Sequence, residues 1–226
     1  MENLFWPTMG LTFRLALITT LLLLLLGVPL AYGLAHWRSR WRSAVQAVIS
    51  MPLVLPPTVL GFYLLLFFSP AGGLGRWLDE YLGLQLVFAF EGLVFGSILY
   101  SLPFMVQPLL SGFEKLPREL AEASYTLGKS RWVTFWRVLL PNLRPALLSG
   151  AILSFAHTVG EFGVVLMIGG NIPGQTKVAS IAIYEEVEAM NYPLAHQYAG
   201  LLLGFTFLIL LLVYGWSLRQ RHALEL

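Results

Sequence analysis

Five apolar runs decide what this chain can fold into. They cover 15–35, 45–69, 92–113, 146–168 and 198–218, and only the fourth holds ionisable side chains, His157 and Glu161. Each meets the ~20 residues that a helix needs to cross ~30 Å of hydrocarbon. The expected fold is therefore all-α: a polytopic membrane helical bundle with about five core transmembrane helices. Composition agrees, because 12% of the residues are charged and 57% hydrophobic, where a soluble domain carries roughly 25% charged residues. The first run is longer than the apolar core of a signal peptide, and Arg38, Arg40 and Arg42 follow it where a small-residue cleavage site would stand; it is expected to stay in the mature protein.

The basic residues orient the bundle. Segments between the runs alternate between two sides, and one side collects Arg38, Arg40, Arg42, Lys115, Arg118, Lys129, Arg131, Arg137, Arg144, Arg219 and Arg221. The other side has Arg76 and Lys177, with Arg14 at the edge of the first run. Lys and Arg in short loops mark the cytoplasmic side, so the N-terminus is expected outside and the C-terminus inside. A net charge of +2 gives no case for nucleic acid, and the absence of cysteine excludes a disulfide framework or thiolate metal site.

The longest polar break, 115–141, then falls on the cytoplasmic side. Pro117 suits the start of a helix, Glu119 and Glu122 fit the positive end of its dipole, and Gly128 supplies a left-handed stop. This predicts a short helix over 117–127. Ser130 is placed to cap a second one, in which Trp132, Phe135, Trp136 and Leu139 recur at helical spacing as one aromatic face, with Pro141 at its end. The stretch 123–130 resembles a P-loop with alanine for the first glycine, yet a P-loop must follow a buried strand. Here an acidic helix precedes it, so the phosphate-loop reading fails.

The other runs carry their own signals. Prolines 52, 56 and 57 remove helix hydrogen bonds that lipid cannot replace, which places 51–58 in the bundle interior, with Thr58 as a polar handle on a translocation path. Pro103 and Pro108 argue for a broken interior helix in the third run, where Gly92 and Gly96 have the spacing of close helix packing. An ionisable residue within a span marks function, and Glu161 is expected either to brace a gate or to interact with Arg14 or His157. Residues 1–10 read as an outer tail, 69–84 as an outer loop with a short interfacial helix, and 178–190 as an outer helix whose Glu185, Glu186 and Glu188 face water.

Glu122-Ala123-Ser124, three residues, Gly128, nine residues, Val138, one residue and Leu140-Pro141 are similar to the EAA motif in permease subunits of binding-protein-dependent ABC importers. Ser124 departs from the second alanine of that pattern. The resemblance spans about 11–216, read as one transmembrane domain of the type I importer class. It implies that Glu119, Glu122, Ala123, Ser124, Gly128, Leu140 and Pro141 form a coupling site for a cytoplasmic ATP-binding subunit dimer. That partner would bind ATP and Mg and do the hydrolysis; this chain would hold no cofactor, metal or catalytic residue. The resemblance also implies a second permease copy in a homodimer, an extracytoplasmic oxyanion-binding protein docking near 169–190, and surrounding membrane lipid. Pro56, Pro57, Thr58, Glu161 and Gly163 are the expected pathway or gate residues. Within the family, 52–66, 158–163 and 171–176 look like molybdate permeases, with sulfate and tungstate carriers as the alternative. An integral-membrane enzyme would need converging groups, and the histidines at 36, 157, 196 and 222 are scattered. A passive channel would conduct without ATP.

Overall fold

Runs of leucine, isoleucine, valine and phenylalanine free of charge have one stable form away from water, the helix, and helices are what they make. The computed structural model describes the backbone over 4–222 and side chains over 4–211. The chain-end residues Ala223 to Leu226, and the side chains of Arg219 and Arg221 used above for orientation, lie outside the described residues. Twelve α-helices follow in order: α1 Phe5–His36, α2 Arg42–Ser50, α3 Pro57–Phe68, α4 Gly73–Leu82, α5 Phe90–Lys115, α6 Arg118–Thr126, α7 Arg131–Thr134, α8 Leu140–Asn142, α9 Arg144–Val159, α10 Gly163–Gly169, α11 Ala179–Glu188 and α12 Tyr192–His222. A 3₁₀ turn at Met51–Leu53 follows α2, and a π turn at Phe135–Leu139 joins α7 to α8. The described residues contain no strand.

Three helices, α1, α5 and α12, are long and apolar enough to cross a membrane unbroken. Two further candidates are bent pairs, Arg42–Leu53 with Pro57–Phe68 at 106° and Arg131–Asn142 with Arg144–Val159 at 70°. Five spans result if each bent pair counts as one. The expected fourth run does not continue through 168: α9 stops at Val159, the chain turns through Gly160–Phe162, and α10 restarts at Gly163. The N-terminal tail is also shorter than expected, because α1 already begins at Phe5, whose ring packs 4.6 Å from Tyr198 of α12.

Three cores hold the described helices together; the smallest, of Met9, Ala179, Ala182 and Tyr198, joins α1, α11 and α12, and two larger ones hold the rest. One gathers Leu23, Ala31, Leu34, Ile49, Met105, Leu109, Phe113 and Leu143 from α1, α2, α5 and the start of α9. The other gathers Leu15, Leu64, Phe68, Leu93, Val164, Val165, Ile168 and Ile181 from α1, α3, α5, α10 and α11. Helix α5 serves both and stays continuous through Pro103 and Pro108, contrary to the broken helix expected from them. Packing around the two prolines holds it in register: Met105 and Leu109 are fully buried, and Gln107 donates to Ser50 Oγ at 2.7 Å. Close approach elsewhere needs missing side chains. A Cβ on Gly61 of α3 would lie 2.8 Å from Met167 Cβ, and one on Gly163 would lie 2.9 Å from Pro57 Cβ, so α3 and α10 meet only because both positions are glycine.

Candidate functional site

The polar break folds as its caps dictate. Helix α6 runs from Arg118 to Thr126 behind Pro117. Gly128 then takes φ +72°, the left-handed turn that glycine adopts without strain. Ser130 Oγ accepts the Val133 N–H at 3.3 Å and starts α7. The apparent P-loop is thus the hinge between two helices, with no strand before it.

Glu119, Glu122, Ala123 and Gly128 are exposed together on this helix and hinge. Ser124 is not with them. It is 6% exposed and points inward, its Oγ 2.8 Å from Thr134 Oγ1. Thr134 Oγ1 in turn donates to the Ser130 carbonyl at 3.0 Å. With its proton committed there, Thr134 must accept from Ser124, and the two hydroxyls latch α6 to α7 across the hinge. Sequence reasoning missed Thr134; its only signal was a polar residue on the otherwise apolar inner side of the second helix. Leu140 and Pro141 are half-buried at the far end of the segment, away from the exposed α6 side chains in sequence and burial.

The aromatic face expected of the second helix is split. Phe135 and Leu139 face inward, Phe135 lying 5.0 Å from Tyr32 of α1 and 6.4 Å from Phe113 of α5. Trp132 and Trp136 face outward. The cause is the π turn, in which the Leu140 N–H reaches back to the Phe135 carbonyl. That wider turn breaks the 3.6-residue register on which a single face depends. Nor does Pro141 end the helix. It sits in the first turn of α8, where a missing N–H is tolerated, and the bend falls at Leu143.

At the bent second span the prolines are not enclosed by the chain as expected: Pro52 and Pro57 are half-buried. Pro56 and Thr58 are exposed and Val54 is 87% exposed. The fold-back at 106° turns this corner outward, leaving its cover to a water-filled path or another protein. Gly163 joins the corner through its contact with Pro57 and the Thr58 backbone. Glu161, two residues earlier, does not: it is 3% exposed inside the chain. Neither expected partner reaches it. Arg14 lies over the Phe90 ring at 4.8 Å, and His157 Nδ1 bonds Ser101 Oγ at 2.9 Å. Both Glu161 carboxylate oxygens lack a hydrogen-bond partner among the described residues, while its carbonyl accepts from Ser180 Oγ at 2.6 Å.

Helix α11 is anchored by the Ala179 N–H donating to Thr12 Oγ1 at 2.8 Å. Glu185 and Glu188 are exposed and Glu186 is half-buried. The hydrogen bond from Lys177 holds the Glu185 carboxyl below its ordinary value.

Residues 23–220 match the family model of binding-protein-dependent transport system inner membrane components. The chain is 52% identical over 206 residues to the molybdenum transport system permease protein ModB of Azotobacter vinelandii, covering 91% of both chains. It is 36% identical to the sulfate transport system permease protein CysT of Escherichia coli, across 73% of this chain and 59% of that one. Among solved structures it resembles a chain of a bacterial ABC transporter involved in alginate import, with a TM-score of 0.80 at 18% identity over 97% of this chain and 80% of that one. At that identity the likeness is one of fold.

Proposed function

The chain belongs to the family of binding-protein-dependent transport system inner membrane components, and from that premise we propose that it carries molybdate through the cell membrane as the permease subunit of an ATP-driven importer. The observation that carries the substrate is the 52% identity to a molybdenum permease along nearly the whole of both chains. The sulfate permease similarity is lower and covers less, which makes sulfate the second reading and tungstate a variant of the first.

The chain's own residues supply the coupling. Exposed Glu119, Glu122 and Ala123 present α6 to a cytoplasmic ATP-binding subunit, one of a pair that binds ATP and Mg. The Ser124–Thr134 latch makes α6 and α7 move together, and Phe135 passes that movement to Tyr32 on α1 and Phe113 on α5. A rigid lever of this kind biases a bundle between two packings. The exposed corner at 54–58 would face a second copy across the pathway, and Thr58 at the start of α3 offers a hydroxyl and a helix N-terminus. Such groups suit a tetrahedral oxyanion without a fixed counter-charge. An extracytoplasmic oxyanion-binding protein would dock beside α11, on the side where the charge distribution also puts the N-terminus.

The test is uptake of labelled molybdate and sulfate in cells that lack their own carriers and express the permease with its ATPase and binding protein. Molybdate uptake that depends on ATP, with Glu122→Arg losing both uptake and co-purification of the ATPase, is the expected result. A preference for sulfate would overturn the substrate, and uptake untouched by Glu122→Arg would overturn the coupling.

A further inference from the structure

The segment from Lys129 to Arg144 has an outer side for which the coupling role has no use. Its inner side is accounted for: Thr134, Leu139 and Leu143 are buried and Phe135 lies against Tyr32. The outer side carries Trp132, 71% exposed, and Trp136, 49% exposed, with ring centroids 5.5 Å apart. Around them Lys129, Arg131, Arg137 and Arg144 are all exposed. No aspartate or glutamate occurs between Glu122 and Glu161, and among the described residues the ion pairs are Arg42–Glu114 and Lys177–Glu185. Four cations therefore stand on one short segment without a carboxylate.

The geometry says where this surface lies. Helix α9 packs along α1 and α5, and 131–142 leaves it at 70°, so the segment runs across the foot of the bundle. Arg144 is one turn, about 6 Å of helix rise, from Leu148, the first exposed large apolar side chain of α9. The cations thus stand at the end of an apolar stretch, at the depth of lipid headgroups. Tryptophan rings favour that boundary, and in-plane segments with aromatic and basic residues on their outer side bind anionic lipid surfaces.

We propose that the outer side of 129–144 is a docking surface for anionic phospholipid headgroups of the bilayer. Arg137 and Arg144 take phosphate oxygens through their planar N–H forks, and Trp132 and Trp136 sit among the headgroups beside them. The proposal rests on the chain lying in a bilayer and not on its substrate. A protein partner is the less favoured occupant, because the surface runs into a membrane helix and pairs wide aromatic rings with charges at a single depth.

The chain is reconstituted into nanodiscs of phosphatidylcholine with phosphatidylglycerol, either lipid carrying brominated acyl chains. The signal of Trp132 and Trp136 is the difference between the wild type and a Trp132→Phe/Trp136→Phe variant. Brominated phosphatidylglycerol should quench that signal more than brominated phosphatidylcholine at equal mole fraction, and rising salt should erase the difference. Arg137→Gln/Arg144→Gln should reduce the preference on the order of tenfold, while Arg137→Lys/Arg144→Lys keeps most of it. Equal quenching by the two lipids at low salt overturns the proposal. So does loss of the quenching when the ATP-binding subunit is added, which would give the surface to the protein partner.

Discussion

Ser124 shows how one hydroxyl changes its meaning once its neighbours are known. A serine in a small-residue motif looks like a surface tolerance, yet it is buried and donates to Thr134, which donates to the Ser130 carbonyl. Thr134→Val leaves Ser124 buried and unpaired, at a cost of about 1–3 kcal/mol, whereas Ser124→Ala leaves Thr134 its bond to the Ser130 carbonyl and should cost less, about 1 kcal/mol. The double variant should lose less than the sum of the two by about 1 kcal/mol. Denaturation in detergent measures the stability. The ratio of molybdate carried to ATP hydrolysed should fall in either single variant, which a purely structural contact would leave unchanged. Additive effects would mean that no latch exists. Glu161 is the converse case, a carboxyl that its position in a span marks as special, but whose surroundings are legible only in three dimensions.

At the scale of elements, α11 illustrates a helix tied down at its start. Ala179 bonds Thr12 of α1, and Lys177 bonds Glu185. Because the Lys177 bond holds the folded Glu185 carboxyl below its ordinary value of 4.5, the pair stabilises fully above that value and loses its contribution as pH falls through the lowered one. Lys177→Met should therefore melt about a degree or two below the wild type at pH 7, a small effect because the pair is partly exposed. The gap should close as the pH falls from 4.5 through the lowered value, in melting curves taken stepwise with pH. A gap that persists in acid would assign it to lost packing of the Lys177 stem. The segment from Arg118 to Asn142 is the contrasting element, since its caps at Ser130 and Gly128 are local and were readable, whereas its π turn was not.

For the whole molecule, the open question of assembly turns on the corner at 54–58. With no cysteine in the chain, Val54→Cys introduces a single thiol at the most outward point of that corner. A short bismaleimide should join two copies through it in native membranes, while Leu203→Cys, on the outward side of α12, should stay monomeric on a gel. Failure of Val54→Cys to cross-link would remove the corner from the interface between copies. The existence of helices, their approximate bounds, the two short helices beside Gly128 and the turn at Gly128 followed from the sequence by itself, because apolar length, caps and left-handed glycines act over a few residues. The tertiary structure decided what depends on surroundings. It kept α5 whole through two prolines by burying Met105 and Leu109 beside them, and it broke the fourth run at Gly160–Phe162. It left Pro56 exposed and Pro52 and Pro57 half-buried, and it brought Ser124 in to Thr134. A side chain's burial and its hydrogen-bond partner are set by residues distant in the chain, and no local rule contains them.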